Sequence, residues 1–167
     1  MMNVPQISLG SICIALTMLS GCSSSSDGGG DIAATPLAGK VGGQSWTFQA
    51  GLASSLSGED DLLGVLYAEA FTPCTADEPS SSAHLFLAVP RQPGTYAFSP
   101  SRNITFAGTG DNDVFSLNGQ IVVESVTATM VTGGVRSQYD DGNQVDGQFQ
   151  LTICPGGSSA LADLPER

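Results

Sequence analysis

The chain holds one histidine, His84, in the run SSSAHLFLAVP, with Ser80, Ser81 and Ser82 just ahead of it. A serine nucleophile needs a base within hydrogen-bond reach and a third group to orient that base. EPSSSAH reads instead as a polar loop entering a strand, and no G-x-S-x-G elbow is present. His84 is therefore expected at a strand edge, outside catalysis. With a single histidine, and neither H-E-x-x-H nor C-x-x-C, zinc chemistry lacks its usual ligand spacing. The glycines of GTGDND lack the lysine and the following helix of a phosphate loop. Glu69 and Glu124 lie in strand-like runs, where an acid is slightly unexpected. A glycosidase needs two such acids across a cleft, but solvent-facing positions are the default.

Calcium is the best of the weak site hypotheses. It asks for several oxygens from a compact loop. DDGNQVD offers Asp140, Asp141, Asn143 and Asp146. GTGDND offers Asp111, Asn112 and Asp113, and GEDD offers Glu59, Asp60 and Asp61. None has the spacing of an EF-hand loop, and Asp, Asn and Gly are also what turns require. The turn reading is preferred. No resident cofactor is expected, and no catalytic constellation emerges.

The elements that must position these residues belong to a chain of 167 residues, enough for one domain. Charged residues make up only 13%, about half the usual share of roughly 25%. Sixteen acidic against five basic residues give a net charge of −11. Phosphate binding needs clustered Lys and Arg, so nucleic acid is not an expected partner.

Residues 7–19, ISLGSICIALTML, are uncharged and mostly apolar. The run has the length of the apolar region of a secretory signal and is too short to span a bilayer. It runs into Leu19-Ser20-Gly21-Cys22, which resembles the lipobox of bacterial lipoproteins. The resemblance implies removal of residues 1–21 as a signal peptide by the type II signal peptidase, with a lipid on Cys22. Ser23, in second place of the mature chain, implies an outer-membrane destination. Residues 22–39 then form a lipidated cysteine with a Ser/Gly-rich tether, whose composition cannot offset its ordering entropy. Such a tether reaches about 20–25 Å. Residues 40–157 are expected to be the domain and 158–167 a tail, where ALADLPE could hold a helical turn.

Of the four cysteines, Cys13 would leave with the signal and Cys22 would carry lipid. Cys74 and Cys154 remain, and an exported chain meets an oxidising compartment, so a disulfide between them is expected.

Strand patterns dominate the domain. Trp46, Phe48, Ala50 and Leu52 alternate with Thr47, Gln49 and Gly51, as one half-buried strand would. GVLYAEAF, HLFLAVP, GTYAFSP and NITFAG read as further strands. In DVFSLNGQIVVESV, Asn118-Gly119 predicts a two-residue type I′ hairpin. Thr127 to Val131 reads as a continued strand, with a turn or bulge at Gly133-Gly134. GVRSQYDDGNQVDGQFQLTIC reads as strand, turn, strand, its turn at residues 140–143. DGQFQLTIC is also loosely similar to the closing strands of small secreted bacterial lipoproteins of unknown function. About eight short strands without a helix predict an all-β fold: an antiparallel sandwich, or alternatively a calycin-like barrel. The expected role is that of a lipid-anchored envelope module, an interaction or structural one without catalysis, its partner an envelope protein or a small molecule. The alternative is a barrel that binds a small molecule, and an envelope hydrolase comes last.

Overall fold

The computed structural model describes residues 31–55, 60–75, 77–79, 82–108 and 113–155. The signal region with Cys22, the tail, and Glu59, Ser80, Ser81, Asp111 and Asn112 lie outside the described residues. The fold is all-β, with eleven strands. They are β1 (Ala38–Val41), β2 (Gln44–Thr47), β3 (Ala50–Ser55), β4 (Leu62–Tyr67), β5 (His84–Val89) and β6 (Gly94–Ala97). Then follow β7 (Ile104–Ala107), β8 (Val114–Ser116), β9 (Gly119–Val126), β10 (Met130–Asp140) and β11 (Asn143–Ile153).

All eleven belong to one hydrogen-bonded sheet, ordered β6-β9-β10-β11-β3-β4-β5-β7-β8. β11 has β10 along one side; along the other it pairs first with β1, which carries β2, and then with β3. The β11–β3 pairing is parallel, so the expected antiparallel sheet holds everywhere else among the named strands. Two short links require the sheet to curl. β8 and β9 stand seven places apart in the order yet are joined by Leu117 and Asn118 alone. A flat sheet would separate them by about 34 Å, whereas a two-residue link reaches about 11 Å. The result is a half-closed barrel whose facing layers are two parts of one sheet.

Period-two patterning places the core. Leu62 and Leu66 of β4, Leu85 and Leu87 of β5, and Ile104 and Phe106 of β7 point inward. They meet Ile121 of β9, Val135 of β10, and Phe149 and Leu151 of β11 in one fully buried cluster. Gly133 stands opposite Phe149, and Gly147 opposite Val135, so small residues face large ones across the β10–β11 pair. Trp46 closes one side and donates its indole N–H to the Ala83 carbonyl at 3.0 Å.

Three local expectations are corrected and one is met. The run from Trp46 to Leu52 is two strands, because the chain breaks at Phe48 and Gln49 to bond Leu37 and Tyr67 carbonyls. Residues 127–129 are a turn rather than strand: Met130 N–H donates to Thr127 Oγ1 at 3.0 Å and Thr127 N–H to the Met130 carbonyl at 2.8 Å. The irregularity expected at Gly133-Gly134 is a register shift between Thr132 and Gly133 in the β9–β10 pairing. Finally, Asn118-Gly119 makes no hairpin: β8 pairs with β7, and β9 with β10 and β6. The two residues form the corner that closes the curl. The Asn118 carbonyl accepts from Ser137 Oγ at 2.9 Å and from the Gln138 amide at 3.3 Å. The Asn118 amide donates to Ser116 Oγ at 3.1 Å. Gly119 is needed because a Cβ there would strike the Arg136 carbonyl oxygen.

The domain also starts earlier than Lys40. Leu37 is fully buried in the core, Pro36 bridges to Gln148, and the Ala33 amide donates to Asp146 Oδ1 at 2.9 Å. Residues 31–39, read from composition as tether, are part of the folded unit. Their few apolar side chains are enough because they lie against β11 and the core of the sheet.

Candidate functional site

The interior is filled by side chains, and the two cavities described lie on the outer wall. The more polar one, of about 530 Å³, crosses β9, β10, β11, β1 and β2. Strand register builds it. Gln120, Arg136, Asp146 and Ala38 stand in one cross-strand row. Gln138, Gln144, Lys40 and Ser45 stand in the next. Neighbouring strands are about 4.8 Å apart. Arg136 and Lys40 therefore flank the central strand β11 from opposite sides, with strand axes about 10 Å apart. Small residues give the trough its depth: Ala38 and Ser45 on one wall, Gly119 at the other end. Gly39 lets β1 lie close, since a Cβ there would collide with the Gln144 carbonyl oxygen.

The charges in the trough are only loosely neutralised. Arg136 Nε is 3.7 Å from Asp146 Oδ2, and both side chains are well exposed. The Ala33 amide fixes the other Asp146 oxygen. Among the described residues no carboxylate is within ion-pair distance of Lys40. The remaining described basic residues are committed elsewhere. Arg102 makes two hydrogen bonds to Asp61, at 2.8 and 3.1 Å, and lies 4.9 Å from the Tyr96 ring centre. Arg91 donates to Ser55 Oγ at 2.9 Å.

The second cavity, about 700 Å³, lies where β8 approaches the end of β10. It is lined by Phe115, Leu117 and Tyr139, which are 63%, 45% and 54% exposed.

The disulfide joins Cys74 to Cys154, across 80 residues of sequence. It pins the loop after β4 onto the outer face of the sheet. There Leu52, Val65, Tyr67 and Cys154 form a second small core, with Phe71 and Phe86 packed against it. Cys74 takes φ 65°, a left-handed conformation that costs a non-glycine residue roughly 1–2 kcal/mol.

His84 borders this cluster. Its ring stacks on Tyr67 at 5.3 Å and meets the edge of Phe86 at 4.8 Å. His84 Nδ1 bonds the Ser82 carbonyl at 2.8 Å, so it donates there, and Ser82 Oγ has no hydrogen bond. His84 and Ser82 are not arranged as base and nucleophile. Burial, and secondarily the charge of Glu78, pushes the Tyr67 phenol up to about 12.

The acidic candidates are dispersed. Asp140 Oδ1 accepts from the Gly142 amide and from Asn143 Nδ2, so it stabilises the β10–β11 turn. Asn143 Oδ1 accepts from the Gly42 amide at 2.8 Å and ties that turn to the β1–β2 turn. Asp146 faces Arg136 and Asp61 faces Arg102. Among the described residues no group of three His, Cys, Asp or Glu side chains is placed to hold a metal. Glu69 is exposed in the loop after β4 and not in a strand. Glu124 is exposed on β9, with β10, β11 and β3 between it and β4 in the sheet. Sequence reasoning missed Lys40 and Arg136. Their scarcity was a signal, but only strand register shows that two of the five basic residues share one trough.

No family model, curated protein or solved structure matches the chain. Among the described residues no helix is long and apolar enough to cross a membrane. The class of protein is thus defined by fold and site alone: a disulfide-stapled, half-closed β-barrel with an apolar core and a charged trough on its outer wall.

Proposed function

We propose that this chain is a lipid-anchored module of the cell envelope, displayed from the outer membrane, that grips another envelope component without catalysis. The lipobox-like Leu19-Ser20-Gly21-Cys22 and the Ser/Gly-rich stretch after it supply the anchor and the reach. The observation that carries the gripping role is the contrast between inside and outside. Apolar side chains fill the interior, while polar, incompletely paired side chains line a cavity on the wall. That contrast favours recognition by the outer surface over a barrel that encloses its ligand.

The anchor is tested by fatty-acid labelling and membrane fractionation of wild type and Cys22→Ala. The wild type is expected to take up label and sediment with membranes, and the variant to do neither. A Cys22→Ala protein that still labels and sediments would overturn the anchored reading.

A further inference from the structure

We infer that the trough between β9 and β2 binds an acidic oligosaccharide, with Lys40 and Arg136 taking its carboxylates. The inference rests on the outer-wall reading above and names its ligand class.

Charge comes first. The chain carries −11 overall, so most of its surface repels anions. Against that background, two of its five basic residues line one cavity. Arg136 has only a loose partner in Asp146 at 3.7 Å, and Arg91 and Arg102 are held elsewhere. A planar guanidinium accepts a carboxylate through paired N–H donors, and a lysine ammonium supplies a second point charge. Arg136 and Lys40 stand on the two strands flanking β11 and two residues apart along it, about 12 Å apart at the backbone. That spacing suits a ligand with repeated carboxylates better than one small anion.

The rest of the lining separates a sugar acid from inorganic anions. Gln138 and Gln144 offer both donors and acceptors, as hydroxyl groups require. Asp146 is acceptor-only and repels any anionic group beside it, a carboxylate included, but it accepts a hydrogen bond from a sugar hydroxyl. A ligand carrying carboxylates and hydroxyls on one scaffold satisfies the cations, the amides and Asp146 together. The volume, about 530 Å³, lies inside the roughly 300–1,000 Å³ of small-molecule sites. The charges of the trough are exposed, so binding weakens as salt screens them.

The probe is tri-galacturonate, titrated calorimetrically into the full chain as expressed, in neutral detergent. Its fully methyl-esterified form and inorganic phosphate are run beside it. Saturable binding of tri-galacturonate is expected at or below about 1 mM. The ester and phosphate should bind at least about ten-fold more weakly, the factor expected from losing charge-assisted hydrogen bonds. Lys40→Gln and Arg136→Gln should each weaken binding by a similar factor, and Arg91→Gln should leave it unchanged. All three side chains are exposed, so unchanged circular dichroism and melting are expected, and Lys40→Arg should retain most of the binding. No binding of tri-galacturonate, equal binding of the ester or of phosphate, or full binding by Lys40→Gln and Arg136→Gln would overturn the inference. Sugar binding is read separately from membrane partition, so failure of this site and failure of the anchor give different results.

Discussion

Tyr67 lies on the outer face of β4, with Phe71 edge-on at 5.1 Å and His84 stacked at 5.3 Å. Its ionisation is costly because the phenolate would lose water there and gain the charge of Glu78 as a neighbour. The phenol is raised from 10.0 to about 12. The unfolded chain therefore loses that proton first, and linkage makes folding stability fall as pH rises from about 10 to about 12. A phenolate absorbance titration should show one tyrosine step displaced to about 12, and Tyr67→Phe should remove that step. Ser54 is a second residue whose environment predicts an outcome. It is fully buried on β3, and its hydroxyl has no hydrogen-bond partner. A buried orphan hydroxyl costs about 1 kcal/mol or more. Ser54→Ala should accordingly raise the urea midpoint, by about 1 kcal/mol of stability at constant m-value.

At the scale of elements, the disulfide-held loop is the device that makes the outer face of β3–β4–β5 dry. Leu52 and Val65 point away from the main core, and without a cover they would form an exposed apolar patch. Cys74 and Cys154, 80 residues apart, restrict the unfolded chain strongly. On the chain-entropy model, closing that loop contributes about 4 kcal/mol. The double variant Cys74→Ser/Cys154→Ser should lose stability of that order in urea unfolding. It should also bind more of a hydrophobic dye than the oxidised wild type does. Unchanged dye binding would show that the loop holds its place without the bridge. The β8–β9 corner works differently, by hydrogen bonds rather than a covalent tie. Ser116, Ser137 and Asn118 make a small polar knot there, and the two serines are buried. That knot is satisfied internally, which is the condition under which buried polar groups are tolerated.

Across the whole molecule, one curled sheet creates both the apolar core and the trough. Leu37 shows how far the unit extends. It lies in the segment between the tether and β1 and is fully buried. Leu37→Ala should cost about 2–5 kcal/mol, as removing a core leucine does, measurable by chemical unfolding. A negligible loss would mean that residues before β1 are dispensable to the fold. Much of this architecture was legible from local pattern. Period-two alternation in residues 148–153 and the Asp140–Asn143 turn predicted the β10–β11 hairpin, because one buried face imposes that period and the turn chemistry is local. The Cys74–Cys154 bridge followed from pairing the two cysteines left in the domain. The misread places share a cause. Asn118-Gly119 carries a hairpin signature, but its partners, Arg136 and Ser137, come from β10. Leu37 was counted with the tether because burial depends on strands more than a hundred residues away. The sequence by itself determined the all-β class and the oxidised cysteine pair, since alternation, turn residues and cysteine number act within short windows; it undercounted the strands, about eight expected against eleven observed. Only the tertiary structure decided the single curled sheet, its parallel β3–β11 contact and the meeting of Lys40 with Arg136. Those depend on which strands lie side by side, and register between distant segments is set by packing of the whole core.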